Sequence, residues 1–236
     1  MKRFYTSVTV EPIGEGFALL LDGRPVKTPA REALFLPNAV MAQAVADEWA
    51  GQGEEIVIAS MPMTGFANAA IDRVAPDPAR FASDIAAYGE TDTLCYRADP
   101  GDPLAERQHA EWEPILQWAE NRFDIRMIRI AGIVHRPQST HGLSRLASAV
   151  EAFDPFVLAG LSTITSIGGS LVSSLALLEH AFDSGIIWRA VCLEELWQEE
   201  LWGADADAEA TRGLRRAAFD DAYRFCCIAQ VANTER

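Results

Sequence analysis

The sequence of 236 residues predicts an α+β protein, with a small N-terminal β-rich domain followed by a larger, mostly α-helical domain. Three observations support this class. The first 36 residues read as short extended segments separated by prolines, the hydrophobic period changes to that of a helix after Pro37, and the pattern is chiefly helical from Pro62 onward. Because strands precede helices, the two kinds of element are expected to segregate. We place the domains at 1–60 and 61–236.

The N-terminal segment contains a strong hairpin signal, the dipeptide Asp22-Gly23 between two extended runs. Two-residue turns of this kind join antiparallel strands, because glycine adopts a positive φ without a Cβ clash. A phosphate-binding loop would instead open a helix whose N–H groups face the anion. The residues after Gly23 are extended and interrupted by Pro25 and Pro29. We therefore predict a hairpin here and no phosphate site.

The helical pattern begins after Pro37, where Asn38 is a candidate N-cap for a helix that carries Met41, Val45 and Trp49 on one face. The segment 56–60, IVIAS, is predicted as one more strand. Further helices are predicted at 64–74, 78–88, 103–121, 141–151, 155–167, 170–182, 185–201 and 206–230. The segments 93–98 and 125–133 are predicted as extended, and both are candidates to join the N-terminal sheet.

Residues 156–178 form an uncharged run long enough to cross a bilayer. Seven of these residues are Ser or Thr, and Gly168-Gly169 interrupts the run. Pro155 suits the first turn of one helix, and Ser170 can cap a second. We therefore predict two helices joined at the Gly-Gly pair and buried in protein, with no membrane insertion.

The charge balance is 34 acidic against 20 basic residues, a net charge of −14. A nucleic-acid-binding protein needs a basic footprint, and an anionic membrane would repel this chain. The cysteines show no spacing typical of a zinc or redox site and are expected to be buried thiols in a reducing compartment: Cys95, Cys192, Cys226 and Cys227. The first ten residues lack the apolar core of a signal peptide and do not resemble a transit peptide.

Motifs of catalysis and cofactor binding are absent from the sequence, which has no HExxH, GxGxxG or GxSxG pattern. Residues 205–216 begin like a calcium loop, but Ala210 replaces the required glycine and Arg216 the required glutamate. We expect no metal and no cofactor, and a binding protein is favoured. The alternative is an enzyme with a site between sheet and helices that uses Asp92, Arg97 and His109.

The segment 188–203, WRAVCLEELWQEELWG, is predicted as an acidic helix. Its apolar residues fall on one stripe that is expected in the core: Leu193, Leu196, Trp197 and Leu201. Glu195 and Glu199 lie one turn apart on another face, with no cation placed to relieve their repulsion. This face is either solvated or a surface for a basic or polar partner, and composition leaves both open.

Several motifs, taken together and in order, resemble the ATP-twelve chaperone family, which assembles the F-type ATP synthase. They are FYTSVTVEPIGEGFALLLDGRPVKTPAREALFLP, AVADEWAGQGEEI, MPMTGFANAAID, DTLCYRA and LEELWQEELWGADADAEA. The resemblance covers nearly the whole chain and is loosest over residues 122–190. It implies a non-enzymatic chaperone that binds the unassembled α subunit of the catalytic head. A bacterial cytoplasmic protein is expected, with relatives in the mitochondrial matrix.

The resemblance also implies site residues. The family has an acidic residue eight positions before a Trp-Gly pair, which here is Glu194, with Glu195 beside it. Both are candidates for contact with the α subunit, as are Arg24 and Lys27 of the hairpin block. The other matching motif residues are Asp22, Gly23, Pro25, Trp49, Pro62, Tyr96, Trp202 and Gly203. A monomer is expected when free, and a general holdase or scaffold is a further alternative.

Overall fold

The computed structural model describes residues 1–132 and 134–234, and its N-terminal part is an antiparallel sheet. The strands are β1 (Val8–Ile13), β2 (Gly16–Leu21), β3 (Arg24–Pro25) and β4 (Phe35–Leu36). Strand β2 pairs with the other three, and its register with β1 runs from Val8–Leu21 to Ile13–Gly16. Most of the remaining chain is helical, so the predicted α+β class is confirmed.

The predicted hairpin at Asp22-Gly23 is confirmed. Both residues have positive φ, 48° and 76°, and Leu21 pairs directly with Arg24 across the turn. This is the geometry of a type I′ turn, whose twist matches that of the flanking strands. The Asp22 carboxylate also accepts hydrogen bonds from the backbone N–H groups of Thr6 and Ser7, at 3.1 and 2.8 Å. These bonds tie the turn to the segment that enters β1.

The predicted strand at 56–60 is wrong, because Ile58–Ser60 form a 3-10 turn instead. The Val57 N–H donates to Oε1 of Gln52 at 2.7 Å, so this backbone group is satisfied without a partner strand. Val57 and Ile58 are exposed, whereas Ile56 is buried.

The helices agree with the predicted pattern except at one break. They are α1 (Ala39–Ala50), α2 (Pro62–Ala69, continued by a π-helical turn Ala70–Val74), α3 (Pro78–Ala86), α4 (Pro103–Phe123), α5 (Thr140–Glu151), α6 (Pro155–Gly168), α7 (Leu171–Leu178), α8 (Ser184–Val191), α9 (Leu193–Trp202) and α10 (Ala206–Thr234). Asn38 caps α1 through a 2.8 Å bond from the Met41 N–H. The helix predicted at 185–201 is two helices, which meet at the buried Cys192 without a local glycine or proline to mark the break.

The two predicted extended segments contain short strands that pair with each other. Strands β5 (Tyr96–Arg97) and β6 (Ile130–Ala131) form a separate parallel pair, so they do not join the N-terminal sheet. Thr93–Cys95 is a 3-10 turn that leads into β5. Position 133, the end of the predicted segment 125–133, lies outside the described residues.

The chain forms two compact units. Unit 1 contains Met1–Phe81, Phe153–Gly160 and the chain from Asp221 onward, and unit 2 contains Ala82–Ala152 and Leu161–Asp220. Within unit 1 the Asn38 side chain donates to the carbonyl of Ile228 at 3.0 Å, a bond between residues 190 positions apart. The division into folding domains at 1–60 and 61–236 stays a prediction.

The Gly-Gly junction between α6 and α7 has the predicted form. Gly168 ends α6, Gly169 has a φ of 61°, and the Ser170 hydroxyl caps α7 by accepting from the Ser173 N–H at 3.0 Å. All eight residues of α7 are buried. Among the helices that the structure describes, none is both long and apolar enough to cross a bilayer.

Candidate interaction surfaces

A pocket of about 590 Å³ lies beside the hairpin turn of unit 1. We call it the hairpin pocket, and its lining residues are Met1, Phe4, Tyr5, Leu21, Asp22, Arg24, Pro25, Val26, Lys27 and Trp49. The structure thus brings Arg24 and Lys27, predicted to contact a partner, together with the motif residues of the hairpin and α1. The volume of the hairpin pocket lies within the range of typical ligand pockets.

The floor of the hairpin pocket is held by contacts between β2, α1 and the N-terminal segment. Tyr5 and Leu21 are buried in a cluster with Ile56 and Met61, and Trp49 packs against this cluster. The Tyr5 hydroxyl donates to the Trp49 carbonyl at 2.6 Å, and the two rings lie 5.6 Å apart. Trp49 is half-buried, so its side chain both packs against this cluster and lines the pocket.

The rim of the hairpin pocket is basic. Arg24 and Lys27 are exposed, and in the part of the chain that the structure describes no ion pair involves either side chain. The carboxylate of Asp22 accepts hydrogen bonds from both the backbone and the hydroxyl groups of Thr6 and Ser7. These bonds lower the pKa of Asp22 to about 2, since they favour the charged form. Asp22 is therefore a turn-forming anion whose oxygens are already occupied.

A second open surface lies in unit 2, where α9 ends and α10 begins. This α9–α10 groove has a volume of about 850 Å³ and is lined by Glu195, Gln198, Glu199, Trp202, Gly203, Ala204, Asp205, Asp207, Ala208, Thr211, Arg212 and Arg215. Every residue from 200 to 211 is exposed. The C-terminal end of α9, which we call the tip, carries Trp202, whose side chain is 78% exposed. Gly203 follows it with a φ of 90° and ends the helix. The tip therefore presents a large aromatic side chain to solvent.

The prediction that Glu195 and Glu199 lack a cation is wrong. Glu195 pairs with Arg215 at 2.6 Å and Glu199 with Arg212 at 2.5 Å, and both arginines belong to α10. A count of charges within one helix could not find these partners, because they come from the next helix. The apolar stripe of α9 is also only partly in the core: Leu193 is buried, but Leu201 is 56% exposed.

Glu194 is exposed on α9, yet its carboxylate has a defined neighbour. Its Oε1 accepts a hydrogen bond from Nε2 of Gln108 on α4 at 2.8 Å. Gln108 is fully buried, and its own Oε1 accepts from the Ala98 N–H at 2.7 Å. Glu194 therefore completes the hydrogen bonds of a buried amide while remaining accessible to a partner.

Comparison with known proteins identifies the family. The family model for the ATP12 chaperone protein matches residues 2–120. The solved structure of Atp12 from Paracoccus denitrificans is 36% identical, with a TM-score of 0.92 over 97% of this chain and 98% of that chain. The chain belongs to the ATP12 chaperone family.

Two further solved structures agree with this assignment. An aspartate-to-lysine mutant of Atp12p from P. denitrificans is 36% identical, with a TM-score of 0.92 over 97% of both chains. A chaperone candidate from Agrobacterium tumefaciens is 36% identical, with a TM-score of 0.91 over 95% of this chain and 85% of that one. The resemblance drawn from sequence motifs is confirmed and extends through residues 122–190, where the motifs aligned only loosely.

Other motif residues of this ATP12-family chain lie at structural positions. Pro62 is the first residue of α2, and Tyr96 donates or accepts a hydrogen bond at 2.9 Å with Nδ1 of His135. Sequence reasoning missed Glu48, whose carboxylate accepts from the backbone N–H groups of Met63 and Thr64 at 2.6 and 2.7 Å. Glu48 thereby caps α2, although it lies 15 residues before Met63 and no local capping pattern marks it.

The residues of the alternative enzyme site serve separate purposes in this ATP12-family protein. Asp92 is fully buried, and burial raises its pKa to about 6 although its carboxylate accepts from the Leu94 and Val172 N–H groups. Arg97 pairs with Glu113, and His109 is exposed. Within the described residues, no hydrogen bond or ion pair joins Asp92, Arg97 and His109, and no cluster of side chains suits a metal ion.

Proposed function

We propose that this ATP12-family chaperone binds the unassembled α subunit of the F-type ATP synthase catalytic head. It would cover the surface of the α subunit that later contacts the β subunit, without catalysing a reaction, in the bacterial cytoplasm. The supporting observation is the agreement with Atp12 of P. denitrificans along 97% of this chain.

An unassembled α subunit, the client of such a chaperone, needs protection because its future interface is exposed. A subunit that waits for its partner exposes an apolar interface, and exposed interfaces of this kind aggregate. The chaperone must bind this surface and then release it to the β subunit. An interface with a few apolar anchors and a polar rim has the moderate strength that such an exchange requires.

The α9–α10 groove is the surface that we propose for the α subunit. Trp202 is an exposed aromatic side chain of the type that dominates binding energy in many interfaces. Acidic residues surround it, and Glu194 and Glu195 lie on the same helix. This charge favours a client surface with a basic or polar rim, because complementary charges speed association and select partners.

The first test replaces the proposed anchor. Trp202→Ala should leave stability within about 0.5 kcal/mol, as is usual for a surface residue. Its affinity for the purified α subunit should fall by about 2 kcal/mol or more if Trp202 is an interface anchor. Ile58→Ala is the matched control, because Ile58 is 72% exposed but belongs to unit 1. If the Trp202→Ala and Ile58→Ala variants bound the α subunit with equal affinity, the tip of α9 would be excluded from the binding surface.

The second test addresses the charge of Glu194. Glu194→Lys should weaken α-subunit binding by roughly 2–5 kcal/mol if the residue is desolvated in the complex. Because the reversal also removes the acceptor of Gln108, Glu194→Gln is needed beside it: this variant keeps a carbonyl oxygen for Gln108 and removes only the charge.

The control for this charge test is Glu151→Lys, since Glu151 is exposed at the end of α5. Glu199 is unsuitable because it is paired with Arg212. Calorimetric affinities and melting temperatures of the three variants separate binding from folding. Unchanged affinity in Glu194→Gln and Glu194→Lys would remove Glu194 from the proposed site.

A further experiment tests the choice of client. The tagged chaperone, captured from the cells that produce it, should retain the α subunit as its dominant partner. Recovery of many unrelated proteins would instead indicate a general holdase. Recovery of the β subunit without the α subunit would contradict the proposal.

A further inference from the structure

The hairpin pocket has the features of a binding site, but the function proposed for the α9–α10 groove gives this pocket no role. We propose that it binds a short acidic peptide segment of a protein partner through one apolar anchor side chain. The pocket lies entirely within unit 1, so its binding can be tested separately from that of α9 and α10. This site goes beyond the α-subunit surface proposed above and does not depend on it.

The apolar part of the proposed site consists of a buried floor and exposed walls. Tyr5 and Leu21 form the floor, while Phe4 and Met1 remain 65% and 70% exposed beside the cavity. Large apolar side chains around an open pocket are costly to leave in water, and such patches commonly mark interaction sites. An apolar side chain of a partner would remove this surface from water.

The charge around the pocket selects an acidic partner. Two basic residues, Arg24 and Lys27, line the pocket, although the chain as a whole carries a net charge of −14. Asp22 is the one acidic residue among those that line the pocket, and donors of Thr6 and Ser7 occupy its carboxylate. The unpaired rim cations therefore favour carboxylates of an incoming segment over basic groups.

The site is held in place before a ligand arrives. Arg3 fixes the N-terminal segment by donating to the carbonyls of Tyr5 and Gln52, at 3.1 and 2.6 Å. Its guanidinium lies 4.6 Å from the centre of the Tyr5 ring, and Tyr5 is bonded in turn to Trp49. A pocket whose walls are already ordered costs less conformational entropy on binding.

The test uses a short fluorescein-labelled peptide with one central leucine and two glutamates on each side, in a Gly/Ser background. Fluorescence anisotropy with the full-length protein should show saturable binding that weakens as salt is raised. Replacing the leucine by alanine, or all glutamates by glutamine, should each weaken binding by about fivefold or more, which is the scale of one modest interface contact.

Variants of the protein locate the binding. The double variant Arg24→Gln/Lys27→Gln and the single variant Phe4→Ala should each lower the affinity for the leucine–glutamate peptide by about fivefold or more. The matched control is Arg73→Gln/Arg80→Gln, which removes two exposed arginines of unit 1 that do not line the pocket and should change the affinity by less than about twofold. Trp202→Ala should also leave peptide binding unchanged.

The absence of saturable peptide binding to the wild-type protein would overturn the proposal, as would equal losses in the pocket and control variants. Occupation of the pocket by a second copy of this chain is the competing outcome. Sedimentation equilibrium would then show self-association that Phe4→Ala abolishes, and this result also contradicts a peptide site. Since the assay contains no α subunit, its failure is distinct from failure of the proposed function.

Discussion

At the scale of single residues, the turn at Asp22-Gly23 shows how two adjacent side chains meet different demands. Gly23 supplies a left-handed backbone, while Asp22 adopts the same region and uses its carboxylate to bind the residues before β1. Aspartate tolerates this conformation better than most residues because its short side chain forms local hydrogen bonds. The turn therefore orders both the hairpin and one wall of the pocket.

Gly23→Ala should destabilise the protein by about 1–2 kcal/mol, because a Cβ is unfavourable at a φ of 76° although nothing crowds it. Gly53→Ala is the control, since Gly53 also has open space but not a positive φ. Urea denaturation of both variants measures the difference. Equal stabilities would mean that the strain of the turn is relieved elsewhere.

Asp22 should make the free energy of unfolding depend on pH in the acidic range. Its pKa is about 2 in the folded protein and near 3.8 ordinarily, so the folded state binds the proton less readily than the unfolded state. The stabilisation is therefore complete above about pH 4 and is lost as the pH falls towards 2. Asp22→Asn should unfold with a smaller pH dependence between pH 4 and 2 than the wild type. A matching slope in both proteins would contradict this assignment.

At the scale of secondary-structure elements, the α6–α7 junction depends on a close approach of the chain. The carbonyl of Gly169 accepts from both the backbone N–H and the hydroxyl of Thr93, at 3.0 and 2.8 Å. A Cβ on Gly169 would lie 2.5 Å from the Thr93 hydroxyl oxygen. The glycine thus serves the turn and the contact at once.

Gly169→Ala should therefore destabilise the protein by roughly 1–3 kcal/mol, through the strain of a left-handed residue and the displacement of Thr93. Gly185→Ala is the control within helix α8, because Gly185 has open space around it. That change should be neutral or stabilising by up to about 1 kcal/mol, since alanine favours the helix. Thermal unfolding that ranks Gly185→Ala below Gly169→Ala would refute this account of the junction.

The charges of helix α9 cannot be understood from that helix alone. Its carboxylates at Glu195 and Glu199 are a repulsive pair on the helix alone, but Arg215 and Arg212 of α10 neutralise them. Each such partly exposed pair contributes only about 0–1 kcal/mol. Glu194, Trp202 and the acidic start of α10 are exposed and take no part in these two ion pairs.

At the scale of the whole molecule, the protein should bind its partners without nucleotide or metal. The sequence has no P-loop, and the described residues contain no cluster suited to a metal ion. Titration calorimetry of the full chain with ATP, Mg²⁺, Zn²⁺ or Ca²⁺ near neutral pH should therefore give no binding heat. Micromolar affinity for ATP would contradict a chaperone that acts by binding alone.

The sequence by itself determined the α+β class, the Asp22-Gly23 hairpin, the Asn38 cap and the Gly168-Gly169 junction. Each of these features depends on residues within a few positions of one another, because turn geometry and capping are local. The family motifs could be found in the same way, since the order of short motifs survives without knowledge of the fold.

Only the tertiary structure decided which distant side chains meet. In the structure Glu194 contacts Gln108, and Glu195 and Glu199 of α9 pair with the arginines of α10. The structure also shows a 3-10 turn where the sequence had predicted a strand at 56–60. It also assembled the hairpin pocket from the N-terminal segment, the hairpin and the end of α1. The physical reason is that these contacts depend on packing between elements, for which the local pattern of the chain carries no signal.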